Sequence, residues 1–275
     1  MTALAPARPL GDYLRDWRRR RRMSQLDLAL EADISQRHLS FIESGRAAPS
    51  RDMLLHLAER LEVPLRERNP MLLAAGFAPV FAERKLDDPA LQPARRAIDM
   101  VLKGHEPFPA LAVDRHWTLV AANAAVAPLL VDVADRALIE GTVNVLRLSL
   151  HPQGLAPHIA NLGEWRNHLL ERLHQQIAAT GDGVLQKLLD ELSGYPMPKG
   201  ASKSAPKHDY AGIVVPMELR TEAGLLSFIS TTTVFGTPVD VTLSELAVES
   251  FFPANDETAR LLRQMAEAGP SKSDS

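Results

Sequence analysis

The tightest constraint on what this chain can fold into is the stretch from Met23 to Arg51, MSQLDLALEADISQRHLSFIESGRAAPSR, which fits two short helices joined by a tight turn. Ser24 can cap the first helix, with Asp27 three residues on as a reciprocal partner. Leu26, Ala29 and Leu30 then form its expected inward face. Ala32-Asp33-Ile34 makes the turn, and Ser35 is the N-cap candidate of the second helix. In that second helix Leu39 and Ile42 fall on one side while Gln36, Arg37, Ser40 and Glu43 point elsewhere, until Gly45 ends it.

A helix with one apolar side and one side of short polar donors is what a helix-turn-helix requires. Its first helix crosses the phosphate backbone, and its second presents side chains to base edges in the major groove. Residues 10 to 62 resemble the helix-turn-helix domain of the Xre/Cro-repressor family in the SQLDLA opening, the SQRHLSFIESGRAAPS core and the LLHLAERL helix that follows. The resemblance implies a double-stranded DNA operator as partner. Gln25 would bind backbone phosphate, Gln36, Arg37 and Ser40 would face bases from a helix headed by Ser35, and Arg46 would reach phosphate from the loop. Asp33 departs from the glycine common in that family, and aspartate tolerates the left-handed backbone such a turn needs.

A chain of 275 residues, 45% hydrophobic and 24% charged, has the composition of one large or two ordinary globular domains. The absence of cysteine excludes disulfides, thiolate nucleophiles and thiolate metal or cluster sites. No apolar run approaches the roughly 20 residues of a membrane span, and no basic segment followed by an apolar one opens the chain. We therefore expect a cytoplasmic protein with no membrane partner. The net charge of −3 divides unevenly, with 13 Lys and Arg against 10 Asp and Glu in residues 1–78. The basic excess thus accompanies the helix-turn-helix.

Ahead of that motif, Leu10, Tyr13, Leu14 and Trp17 mark one face of a helix that runs into the arginines Arg18 to Arg22. Five consecutive residues cover every side of a helix, so some of these arginines must be solvated or paired with Asp12, Asp16 or Glu43, and the others add non-specific phosphate attraction. Ser50 caps a fourth helix with Met53, Leu54, Leu57, Ala58 and Leu61 inward, and a fifth runs from about Leu65 to Ala75, stopped by Gly76 and Pro79. The expected division is a five-helix all-α domain over 1–79, a linker over 80–93, a second domain over 94–268 and a disordered tail over 269–275. Phe77, Val80 and Phe81 are the residues that could pin the linker to a neighbour.

The second half reads as α+β. Leu91 to Lys103 is a helix. PALAVDRHWTLVAANAAVAPLL parses as strand, Asp114-Arg115 turn, strand, and a helix capped by Asn123. Long helices over about Leu162 to Ala179 and Val184 to Leu192 precede a basic loop around Lys199 to Lys207. A hairpin of Ile213 to Thr221 and Leu225 to Phe235 follows. Strands before and after a helical middle predict an antiparallel sheet with helices on one side, a layout that can enclose a pocket.

The segments HEPFPALAVDRHWTLVAANAAV, NVLRLSLHPQGLAPHIANLGEW and FGTPVDVTLSELAVESFFPANDETA resemble the ligand-binding domain of MmyB-like transcription regulators, which is similar to a PAS fold. That resemblance implies a small-molecule sensor joined to the DNA reader, with a fatty acid as the associated ligand. From the residues themselves, Asn123 is either a helix cap or a ligand contact. Arg147, alone among apolar neighbours in NVLRLSLH, needs a carboxylate, supplied by the ligand or by the protein. His151, Asn161, Trp165 and Arg166 complete the candidate ligand set.

No residue set for catalysis emerges. Glu171-Arg172-Leu173-His174 has the Glu-x-x-His spacing of di-iron carboxylate sites, which need it twice, and it occurs once. No Gly-x-Ser-x-Gly elbow, phosphate loop or dinucleotide fingerprint is present. The sequence thus predicts a non-enzymatic, ligand-responsive DNA-binding transcription regulator without catalytic or metal residues and without cofactor beyond a bound fatty acid. It would be a homodimer because two-fold operators double the contacts of one recognition helix. The competing expectation is a regulator whose second domain binds a partner protein.

Overall fold

The computed structural model describes residues 8–197, 214–235 and 240–268. The basic stretch from Lys199 to Lys207, the start of the expected hairpin at Ile213 and the tail from 269 onward lie outside the described residues. The described chain divides into two compact units, residues 8–85 with 178–180 and 240–244, and residues 86–177, 181–235 and 245–268.

The first unit carries five helices: α1 (Leu10–Arg20), α2 (Gln25–Glu31), α3 (Gln36–Glu43), α4 (Arg51–Arg60) and α5 (Leu65–Ala74). Three of them begin at serine caps. Ser24, Ser35 and Ser50 accept the backbone N–H of Asp27, His38 and Met53, and Asp27 returns a bond to the Ser24 N–H, closing a full capping box. The turn between α2 and α3 places Asp33 at φ +52°, and Gly45 after α3 sits at φ +72°. Both are left-handed positions that the turn chemistry had to supply.

Leu14, Trp17, Leu28, Leu39, Ile42, Leu54, Leu57 and Leu61 form the unit's core. One expectation fails here. Ala29 is buried as expected, but Leu26 and Leu30 do not face inward and are 49% and 71% exposed; Leu28 is buried in their place. A seven-residue helix has too few turns for periodicity to fix its phase. Asn69 pins the following segment by accepting from the N–H groups of Val80 and Phe81 and donating to the Phe81 carbonyl.

The second unit is built on a five-stranded antiparallel sheet ordered β2-β1-β5-β4-β3. Its strands are β1 (Ala110–Val113), β2 (Leu119–Ala122), β3 (Met217–Thr221), β4 (Gly224–Val234) and β5 (Ala247–Pro253). The central strand β5 was not read from the sequence. It pairs with β1 through Ala112 and Val248 and with β4 through Ser230 and Phe251, so it joins the two hairpins that were read. Helices α6 (Gln92–Gly104), α7 (Val145–Leu150), α8 (Leu162–Thr180), α9 (Gly183–Ser193) and α11 (Asp256–Ala268) belong to this unit. The short α10 (Val241–Ser244) falls in the first.

Both sheet edges are occupied. Ile159 bridges to Leu219 beside β3, and Thr118 to Asn144 beside β2. Asn123 is a further correction, because it caps no helix: a 3-10 turn over Ala127–Leu130 follows it with no side-chain cap. Its buried amide instead donates to the carbonyls of Leu102 and Phe108 and accepts from the Ala110 N–H, tying α6 and the approach to β1 together.

Candidate functional site

Two residues near the end of α3, Glu43 and Phe41, organise its surroundings. Glu43 is buried, and its carboxylate accepts from Arg18 Nε at 2.7 Å, Arg18 Nη2 at 3.0 Å and Gln25 Nε2 at 2.8 Å. Its carbonyl accepts from Arg15 at 3.1 Å. The Arg18 guanidinium is held more basic than usual, chiefly by its hydrogen bonds to Glu43. Two of the five arginines from Arg18 to Arg22 are thereby structural: Arg18 braces α1 on α3, and Arg21 donates to the Leu61 and Glu62 carbonyls.

On the other side Gln36 and Arg37 are exposed, while Ser40 is half-buried and Ser35 is the cap. Phe41 serves as a platform, with the Arg37 guanidinium 5.3 Å and the Arg46 guanidinium 4.9 Å from its ring centroid. Arg46 also donates to Ser44 Oγ at 3.0 Å. Two cations thus lie against one aromatic ring near the end of α3. Phe41 carried no sequence signal of this role, since an aromatic at that spacing reads equally well as core.

The second unit holds a partly open cavity of about 130 Å³ walled by apolar side chains including Leu111, Leu146, Leu169, Phe228 and Phe251. Three side chains with charged or hydroxyl groups, Ser149, Arg172 and Glu249, also line it. Glu249, from β5, is 4% exposed. Arg172, from α8, donates to Glu249 Oε1 at 2.5 Å and Oε2 at 3.2 Å, and the Thr232 hydroxyl donates to Oε1 at 2.6 Å. The same guanidinium lies 4.6 Å from the ring of Trp117. Trp117 sits at φ +65°, where a bulky side chain is uncommon, and its indole N–H donates to Gln176 at 2.9 Å. The neighbouring His168 imidazole is pushed below its ordinary pKa by burial and by the Arg172 charge. Among the described residues no cluster of three metal-ligating side chains occurs, and no helix is long and apolar enough to cross a membrane.

Residues 94–265 match the family described as MmyB-like transcription regulator ligand binding domain, more than half of the chain, and residues 14–68 match the Helix-turn-helix family. The chain belongs to the MmyB-like family. No curated protein matches it. Among solved structures, "Structure of an RNA-binding Light-Oxygen-Voltage Receptor" aligns at 14% identity over 94% of this chain, with a TM-score of 0.24. The chain spans 64% of that structure's length. At that score the likeness bears on neither fold nor function.

Within this MmyB-like domain the six ligand candidates read from sequence do not converge. Trp165 alone lines the cavity, its indole N–H donating to Ser149 Oγ at 3.0 Å. Arg147 does not: helix α7 carries Leu146 and Leu148 to the cavity and turns Arg147 toward Glu191, which it meets bidentately at 2.7 and 2.8 Å. The protein supplies the carboxylate. Asn161 binds the Pro216 carbonyl and the Glu218 N–H, and Arg166 donates to the Leu192 and Ser193 carbonyls. His151 accepts from the Gln153 N–H and packs edge-on against Tyr195. The charged groups that do reach the cavity, Arg172 and Glu249, stand 77 residues apart in sequence. Only the unread strand β5 brings them together.

Proposed function

We propose that this chain is a cytoplasmic DNA-binding transcription regulator whose α+β domain senses a small apolar molecule. The helix-turn-helix domain occupies 1–79, a linker 80–93 and a PAS-like sensor 94–268, and the regulator acts as a homodimer on a two-fold operator. Gln36, Arg37 and Ser40 read bases from the helix that Ser35 caps, while Gln25 and Arg46 hold phosphates. One N–H of the Gln25 amide is engaged by Glu43 and the other is left for a phosphate oxygen.

The observation that carries this reading is the apolar-walled cavity in the same chain as an exposed, cation-bearing helix. Its apolar wall gains affinity for apolar bodies, as engineered cavities of about 150 Å³ do for benzene. An acyl chain suits its walls, which keeps a fatty acid among the ligands. Ligand binding shifts operator affinity only by its differential affinity for the two states of the protein.

Native mass spectrometry of the protein from its own source, with extraction of the released molecule, tests the sensor. Selection of a double-stranded DNA library on the same preparation tests the reader. Recovery of an apolar small molecule together with a palindromic sequence whose affinity changes on extraction is the expected result. A protein that selects no sequence and retains no small molecule under any loading would overturn both halves.

A further inference from the structure

Residues 240–244 lie between β4 and β5 in the chain, yet they are grouped with the first unit rather than with the sheet. What holds them there is the segment that follows α5. The Val241 N–H donates to the Ala82 carbonyl at 2.8 Å, Ala82 and Asp240 form a parallel bridge, and the Thr242 hydroxyl donates to the Arg84 carbonyl at 2.5 Å. Arg84 Nη1 donates to the Asp240 carboxylate at 2.9 Å, and the Thr242 N–H donates to the same carboxylate at 2.9 Å. Asp240 is 1% exposed and Val241 is fully buried. On its other side the segment is tied to α5 by Asn69 and by the Arg66–Glu83 ion pair.

A free tether between domains carries few such bonds, so residues 80–84 are not built as one. The buried carboxylate makes the arrangement two-state. Closed, Asp240 is paired; drawn away from Arg84 while still buried, it is an uncompensated charge, so the segment resists small displacements until it opens to water. The chain then runs from residue 244 through the buried Leu246 into β5. That strand gives Glu249 and Phe251 to the cavity wall, and β4 gives Phe228. Displacement of β5 by an occupant of the cavity therefore acts directly on residues 240–244.

We propose that residues 240–244 are a latch by which the state of the cavity reaches the segment leading out of the reader, with Asp240 and Arg84 as its closing pair. This rests on the reading of the cavity as the sensor's ligand site. The covalent path through residues 86–93 into α6 is then not the carrier.

Full-length protein, stripped of lipid on a hydrophobic resin, is followed by hydrogen exchange and mass spectrometry with and without sodium laurate. Laurate is expected to slow exchange by about threefold or more in β4 and β5, and in residues 79–86 as well. Asp240→Asn keeps the size of the side chain and an acceptor for the Thr242 N–H but loses the charge that holds Arg84. In this variant β4 and β5 should still respond to laurate and residues 79–86 should not. Thr242→Val removes the bond to the Arg84 carbonyl and leaves the buried carboxylate paired, and it carries the test if Asp240→Asn does not fold. Residues 79–86 that ignore laurate in the wild type while β4 and β5 respond overturn the latch alone. So does an undiminished response of residues 79–86 in a folded variant, which would assign the signal to the path through α6. Folded wild type in which laurate slows exchange in neither β4 nor β5 overturns the cavity reading and the latch with it.

Discussion

Gly11 on α1 faces the backbone of Glu43 on α3 so closely that a Cβ built on the glycine stands 2.0 Å from the Glu43 carbonyl oxygen. The obstacle is backbone, which cannot rotate aside. The same Glu43 anchors Arg15, Arg18 and Gln25, so this contact sets how α3 is seated under the helix-turn-helix. Gly11→Ala should push the helices apart and cost about 1–3 kcal/mol, the range for overpacked cores, despite alanine's better helix propensity. Gly104→Ala, near the end of α6 with nothing within 4 Å of the added carbon, should be neutral or slightly stabilising. Thermal denaturation of both variants checks the pair, and comparable melting temperatures would contradict the contact.

On the proposed reading, Arg37 and Gln25 should make separable contributions to DNA affinity. Arg37 is exposed on α3 and lies against Phe41, whereas Gln25 is tied to the buried Glu43 and has one N–H left near the start of α2. Arg37→Ala should cost about 1–3 kcal/mol on the selected operator and much less on random sequence, while Gln25→Ala should weaken both by similar factors. Fluorescence anisotropy on the two DNAs at fixed salt measures this. Equal losses for the two variants on both DNAs would remove Arg37 from the base-reading set.

The first unit was largely legible because its signals are local: three serine caps, a left-handed turn residue at Asp33 and an inward stripe on each longer helix. α2 was misphased at Leu26 and Leu30 because it is short. The sensor was legible as hairpins and helices but not as a site. Arg147 drew notice as an isolated cation, yet α7 turns it to the outside. Arg172 drew none as a sensor residue because it sits in a charged helical run. Glu249 sits in β5, whose mixed pattern AVESFFP has no strict alternation. A residue's approach to a cavity wall depends on strand order, and the order β2-β1-β5-β4-β3 is a long-range property that no window of sequence carries.

The Glu191 carboxylate is lowered to about 2 by its hydrogen bonds to Arg147, with a further bond from the Tyr195 hydroxyl. Arg147 is correspondingly held above its usual basicity, and Tyr195 is pushed up to about 12 by burial and by donating to the same carboxylate. A depressed acid pKa means the folded state favours the ionised form. The stabilisation is therefore complete above the ordinary value of 4.5 and is lost as pH falls through about 2. Because side-chain exposures of 39% and 36% admit solvent screening, we expect about 1 kcal/mol from the pair rather than the full shift. Urea midpoints from pH 6 to pH 2.5 should fall more steeply in the wild type than in Glu191→Gln. Parallel curves would show that the pair contributes no acid-sensitive stability.

Asn123 separates a structural polar residue from a ligand contact. Its amide answers two carbonyls and one N–H, those of Leu102, Phe108 and Ala110, and it does not line the cavity. Truncation to alanine would leave all three backbone groups buried without this partner. At roughly 1–3 kcal/mol for an unsatisfied buried group, the loss should be about 2–4 kcal/mol overall, since water enters the vacated space in part. Asn123→Asp should be no better, because it keeps the acceptor, loses both donors and turns an acceptor toward the Leu102 and Phe108 carbonyls. The measurement that decides is a pair: denaturant midpoint and ligand dissociation constant below the unfolding range. A large fall in midpoint with an unchanged dissociation constant places Asn123 in the frame that joins α6 to β1. A stable variant that has lost ligand affinity would return it to the binding site proposed from sequence.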